Sequence, residues 1–202
     1  MSKIWVPRDY QRSIVSFATN TPRASIWAST GSGKTTCGLE WFVQMRMFGE
    51  ANRLLVISTK RICTMVWPRA IREWSNFQHL SCAVAVGTPA QRLEAIRSGA
   101  DVTLVNFENL PWLIEVLNGE WLWDTVICDE STRMKSLRID SRVSSTGKEF
   151  LRQSGGSSRA AAIARLAHSK IRNWLNFTGT PCSNGLIDLW GPQWFVDGGK
   201  AL

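Results

Sequence analysis

No apolar run in this sequence approaches the ~18 residues that a bilayer-spanning helix needs, so no membrane partner is expected. The opening MSKIWVPRDYQRS has no apolar stretch of the secretory-signal kind. Cysteines number 5, at positions 37, 63, 82, 128 and 182. They are odd in number, widely spaced and never form CxxC, which argues against a zinc site and a disulfide framework. His79 and His168, the 2 histidines, have no partner at metal-binding or catalytic spacing. No internal repeat is evident. Acidic side chains are scarce, 16 against 24 Lys and Arg.

The resulting charge of +8 is concentrated. Between Ser131 and Arg172 stand ten basic residues against Asp140 and Glu149, and 10 − 2 equals the charge of the whole chain. A localised basic stretch suits a polyanion such as nucleic acid, and it equally suits a solubilising surface loop. The chain also carries 11 tryptophans, more than a core of this size normally needs, so some are expected at the surface.

Short, near-continuous apolar runs alternate with helical patterns. Strands are expected at 24–28, 53–58, 82–86, 101–105, 125–129 and 174–178. Continuous rather than alternating hydrophobicity is the pattern of strands buried on both faces of a parallel sheet. Helices are expected at about 34–48, 62–75, 89–98, 107–117, 159–169 and 184–190. The third is well punctuated: Thr88 as N-cap, Pro89 at the first position, Gln91 closing a capping box and Gly99 at the end. Strands separated by helices of this length make βαβ units and a three-layer α/β domain. Residues 141–159, rich in Ser, Gly and Arg, read as a basic flexible loop.

The stretch ASTGSGKT, residues 28–35, lies between an apolar strand and a helix start. Such a loop cradles phosphate: backbone amides converge on one spot, and the helix dipole favours negative charge there. Gly31 and Gly33 let the backbone come close, with Thr30, Ser32 and Thr36 completing the cradle. Lys34 is placed to reach the β and γ phosphates, and the Thr35 hydroxyl to ligate Mg²⁺. Ala28 stands where the strict pattern has glycine. In TVICDEST, Asp129 ends an apolar run at the strand tip, where ligands of parallel sheets bind, and is a second metal ligand. Glu130 follows and is placed to position or deprotonate an attacking water. Alone, such a pair is usually a solvated turn; in order after a phosphate loop it points to ATP hydrolysis.

These segments resemble superfamily 2 helicases, in particular the Swi/Snf-like branch of double-stranded DNA translocases of bacteriophages and bacteria. DYQRSIVSF looks like the upstream glutamine element, ASTGSGKT like motif I and LLVISTKRICTMVWPRAIREW like motif Ia. TLVNFENL is similar to the next strand and turn, DESTRMKS to motif II, and NFTGTPCSNGLIDLW to motif III. Two departures are the Ser-Thr of DEST, where Ala-His is commoner, and the long interval between Asp129 and Thr178. The resemblance implies a RecA-like P-loop lobe, α/β in three layers with a mostly parallel sheet, occupying residues 1–202. It implies ATP and Mg²⁺ as cofactors, Gln11 as the adenine contact, and Asp129, Glu130 and Lys34 as the catalytic set. Thr178, Gly179 and Thr180 are implied to couple the γ-phosphate state to a second RecA-like lobe in cis or in trans.

Nothing in the 202 residues matches motifs IV to VI, so the isolated lobe is expected to bind ATP–Mg²⁺ weakly and hydrolyse it poorly. Arg142, Lys148, Arg152 and Arg159 are expected to contact phosphates of duplex DNA without reading bases. The expected location is the cytoplasm, that of the host if the chain is viral. Trp190 and Trp194 are either docking surface for the second lobe or core. The rival reading is a non-catalytic nucleotide- or DNA-binding module that regulates a partner.

Overall fold

The computed structural model describes residues 3–143, 149–155 and 158–200. Six strands, β1 (Arg23–Trp27), β2 (Leu54–Ser58), β3 (Cys82–Ala85), β4 (Val102–Asn106), β5 (Thr125–Asp129) and β8 (Asn173–Thr178), form one sheet. Every pairing in it is parallel, and the order is β1-β8-β5-β2-β4-β3. The six strands expected from the apolar runs are those observed, shifted by a residue at most at either end.

Burial on both faces explains the continuous hydrophobicity. In β2, Leu54 and Val56 enter one apolar cluster while Leu55 and Ile57 enter the other. The first cluster is closed by α1 (Asp9–Asn20), α2 (Lys34–Met47) and α3 (Trp67–Glu73). The second is closed by α4 (Pro89–Arg97), α5 (Leu110–Leu117), α6 (Ser158–Ala167) and α7 (Ile187–Asp197). These are the three layers. The capping box of α4 forms as read, with Gln91 N–H donating to Thr88 Oγ1 and Thr88 N–H to Gln91 Oε1. None of the described helices is long and apolar enough to cross a membrane.

Five expectations change, and the first is that the helix expected at 184–190 runs instead over Ile187–Asp197, with Pro192 inside it. Helix α1 lies where only a motif was read, because its inward stripe includes the polar Gln11 beside Val15 and Ala18. The expected helix over 62–75 splits into a π-turn, Ile62–Val66, followed by α3. Within the segment read as a flexible loop, β6 (Arg138–Val143) pairs antiparallel with β7 (Glu149–Gly155), irregular at Arg138/Ile139, while 144–148 and 156–157 lie outside the described residues. Backbone pairing needs only a few strand formers, and Ile139, Val143, Phe150 and Leu151 supply them in an otherwise polar stretch. Finally, ten of the tryptophans are buried or half-buried, and only Trp27 is largely exposed. Trp194 is core, in edge contact with Phe195, which itself stacks on Trp174. Trp190 is half-buried and packs against the same cluster.

One cation holds the end of the sheet opposite the phosphate loop. Arg23, first in β1, donates to the carbonyls of Ala167, Ile171, Phe195 and Val196. The last turns of α6 and α7 thereby receive donors for carbonyls that have no helical partner. Burial pulls the Arg23 pKa down to about 10, which leaves it charged at neutral pH. Replacing Arg23 by Met is expected to cost about 3 kcal/mol in urea unfolding, because several carbonyls lose their donors together. Arg23→Lys, which keeps the charge but not the fork, should fall between the two.

Candidate functional site

The C-terminal tips of parallel strands share one edge of the sheet, and the motif residues converge there because of it. Strand β1 leads into the phosphate loop, β5 ends at Asp129 and β8 ends at Thr178. In the sheet, β8 lies between the other two. Ala28 N–H donates to Thr178 O at 3.1 Å, so the loop is bonded to the motif III strand at its first residue.

Gly31 and Gly33 adopt left-handed φ of 84° and 81°, which side-chain-bearing residues avoid. A Cβ on Gly33 would come within 2.4 Å of Gln11 Nε2. Gly33 caps α2 without a side-chain acceptor, so the first-turn amides of a fourteen-residue helix face the loop. Ser32 Oγ is buried with no hydrogen-bond partner. Uncapped amides, an unpartnered hydroxyl and a turn that only glycine closes fit a bound phosphate chain. Lys34 Nζ lies across the loop, donating to Ala28 O at 2.8 Å and Ser29 O at 3.1 Å. Thr36 is buried and donates back to Gly33 O, while Thr35 is half-buried at the helix start.

Gln11 supports this loop from behind. Its Nε2 donates to Ser32 O at 2.9 Å, and its Oε1 accepts from Arg8 N–H at 2.9 Å. Tyr10 donates its hydroxyl to the same Ser32 carbonyl. An open cleft of 460 Å³ lies beside these residues, lined by Tyr10 and Ala28 to Ser32.

Asp129 is buried, 5 % exposed, and its Oδ2 accepts from Trp67 Nε1–H at 3.0 Å. Burial raises its pKa, with Glu130 adding to the rise; the Trp67 bond and the Lys34 charge oppose it. Glu130 takes a left-handed conformation, φ 67°, ψ 49°, one of two described non-glycine residues at positive φ. Such a conformation costs on the order of 1 kcal/mol and tends to mark working residues. It turns the chain sharply from β5 into the 3₁₀ turn Ser131–Met134 and leaves the Glu130 side chain half-buried at the strand tip.

Thr178 is buried, and its Oγ1 accepts from Thr180 N–H at 3.1 Å. Gly179 lies beside the loop: a Cβ there would make ordinary contact, 3.5 Å from Ala28 O and 3.6 Å from Thr30 N. Further along, Lys135 of motif II pairs with buried Asp188 at 3.1 Å. Asp188 also accepts from Ser183 Oγ and Asn184 N–H. Gly191 of α7 sits on motif II so tightly that a Cβ would meet Met134 O at 2.2 Å. These contacts between the tails of motifs II and III carried no signal in the sequence beyond the charges of Lys135 and Asp188.

The four basic residues divide. Arg142 lies in β6 and Arg152 in β7, opposite Phe150 and Asp140 respectively. Lys148 lies outside the described residues. Arg159 opens α6 and pairs with Glu108 at 3.5 Å, a carboxylate that Arg133 also approaches at 3.8 Å. Burial alone would raise the Glu108 pKa, but the Asn106 hydrogen bond and these two arginines bring it below its ordinary value. Lys60 and Arg61, not singled out from the sequence, are exposed just beyond β2 on the same edge as the phosphate loop. The resemblance of that segment to motif Ia was the signal that pointed there.

Comparison with known proteins agrees with this geometry. Residues 5–183 match the family model described as Type III restriction enzyme, res subunit. A curated relative, "Putative protein p41" of Acyrthosiphon pisum secondary endosymbiont phage 1, is 36% identical over 202 residues. That alignment takes in 99% of this chain and 41% of the relative, so the chain spans about two-fifths of the relative's length. Among solved structures, the Sulfolobus solfataricus SWI2/SNF2 ATPase core in complex with dsDNA aligns with TM-score 0.74 and 20% identity, over 98% of this chain and 37% of that one. The Pyrococcus furiosus Hef helicase domain aligns with TM-score 0.66 and 18% identity, over 94% and 36%. The Type ISP restriction-modification enzyme LlaBIII bound to DNA gives TM-score 0.58 at 15% identity, over 89% and 13%. At these identities the structures establish the fold, a RecA-like lobe, and the family match covers most of the chain. The chain therefore belongs to the family described as Type III restriction enzyme, res subunit, and its fold is that of a RecA-like lobe.

Proposed function

We propose that this lobe binds ATP–Mg²⁺ and serves as the nucleotide half of a DNA-dependent ATPase that translocates on or unwinds duplex DNA. The observation that carries the reading is the meeting of three motifs at one sheet edge. Lys34 lies across a glycine loop, Asp129 lies buried within reach of its charge, and the Thr178 carbonyl accepts from Ala28 N–H at the start of that loop.

The α2 amides with Thr30, Gly31, Ser32, Gly33 and Thr36 hold the phosphate chain, and Lys34 leaves its two carbonyls to neutralise the β and γ oxygens. Gln11 meets adenine with the donor and acceptor capacity that its two backbone bonds do not use. Thr35 and Asp129 hold Mg²⁺, which when bound neutralises charge on the transferring phosphoryl group. Glu130 orients the water and accepts its proton. Thr178 and Thr180, joined by one hydrogen bond, register the phosphate state at the loop and pass it to a second RecA-like lobe, in cis or in trans. Hydrolysis by the lobe alone is slow, because transition-state charge in related nucleotide hydrolases is met by arginine from across such an interface. Support for a DNA partner comes from the basic ribbon and from the two structural neighbours that were solved with DNA. The contacts are to phosphates, through Arg142, Lys148 and Arg152. Arg159, engaged with Glu108, contributes less.

Two measurements test this. In calorimetry, Lys34→Ala should abolish binding of ATP–Mg²⁺, whereas Glu130→Gln should bind normally and lose roughly 10²- to 10⁴-fold in hydrolysis once a second lobe is supplied. Activity indifferent to both substitutions would leave only a regulatory binding module. In DNA binding, neutralising Arg142, Lys148 and Arg152 together should lower the slope of log K against log salt by about 3. An unchanged slope would reduce the ribbon to a solubilising surface.

A further inference from the structure

We propose that Trp67 is a positioning residue for the metal carboxylate, its indole N–H holding Asp129 in the orientation that receives Mg²⁺; this rests on Asp129 being a metal ligand. The bond, Nε1–H to Oδ2, is 3.0 Å long, and its two ends are 0 % and 5 % exposed.

Strand alternation sets the carboxylate's direction. Ile127 enters the cluster under α1 to α3 and Cys128 the opposite one, so the Asp129 side chain emerges on the α3 side. Trp67 is brought there by the π-turn before it. Thr64, Met65 and Val66 are exposed, then Trp67 and Pro68 turn inward. A π-turn accommodates one more residue per turn than the α-helix, and such turns recur at functional sites. Gly38 of α2 makes the room. A Cβ on it would stand 3.1 Å from the Trp67 ring and 2.9 Å from Phe177. The helix behind the phosphate loop, the segment after β2 and the tip of β5 thus close on one indole.

Packing alone does not call for the nitrogen, since a phenylalanine ring would fill most of that volume. The carboxylate does call for it. A buried carboxylate needs donors, and an Arg or Lys would cancel the charge that a divalent cation requires. The indole N–H is a donor without charge or acceptor capacity. It fixes one oxygen and leaves the full negative charge to the metal. Outer partners of this kind are worth 10- to 100-fold in metal affinity.

The test uses the 202-residue chain and calorimetric titration of ADP, once with Mg²⁺ and once with EDTA. The wild type should bind more tightly with Mg²⁺. Trp67→Phe should keep the EDTA affinity within about twofold and lose roughly tenfold of the Mg²⁺-dependent tightening. It should have no further effect in an Asp129→Asn background. Equal weakening in both media, or in neither, would mean that Trp67 only packs. A wild type that binds ADP but gains nothing from Mg²⁺ would instead remove Asp129 as the metal ligand, and the proposal with it. Should the variant fail to fold, the assigned indole ¹⁵N–¹H resonance of Trp67 in the wild type decides. It should shift when Mg²⁺ is added to the ADP-bound protein and stay still when ADP is added in EDTA; no movement with Mg²⁺ overturns the proposal.

Discussion

The hydrogen bond from Ala28 N–H to Thr178 O joins the first residue of the phosphate loop to the last residue of β8. Because β8 is paired with β5 on its other side, it places the loop, the motif III turn and the Asp129 tip on one rigid frame. Parallel pairing makes this convergence unavoidable: strands running the same way end together, and the helices between them carry the chain back. The chemistry of the site follows from which residues occupy those ends. Glycines stand where the loop must turn left-handed, a lysine opens the helix, and an aspartate ends a strand otherwise buried on both faces.

Most of the sheet was legible in the sequence because apolar runs such as LLVIS and TVICD need no partner to declare themselves. What could not be read depends on pairing at a distance. Helix α1 hides its inward face behind Gln11, whose burial makes sense only with the Ser32 carbonyl in place. The β6–β7 ribbon is held by backbone bonds in a stretch where polar residues outnumber the four apolar strand formers, so its composition reads as loop. The π-turn ahead of Trp67 breaks a pattern that reads as one continuous helix. Tryptophans misled for a similar reason. Their number suggests surface, but several span the joints between layers, as Trp174 does in stacking on Phe195.

The candidate site was legible by residue type and order, because a glycine loop, a lysine and a strand-terminal acid form a pattern that survives without coordinates. Its supporting contacts were not. Trp67 behind Asp129, Lys135 on Asp188 and Arg23 beneath two helix ends are single side chains whose roles depend on what the fold sets beside them. They also differ in kind. The charged pairs and the arginine fork lie on the supporting periphery, while the indole that donates to Asp129 is neutral. Charge is thereby kept for the centre, and rigidity is supplied around it.

Helix α7 meets the motif II turn at Gly191, where backbone rests on backbone at Met134 and Lys135. Side chains at helix contacts normally act as springs, bending through their rotamers before they transmit a load. Here there is no spring. The start of α7 carries Ile187, with Leu186 just before it, both largely exposed. A side chain at Gly191 would force the two backbones apart, so glycine there is what lets α7 seat directly on the turn that follows Glu130.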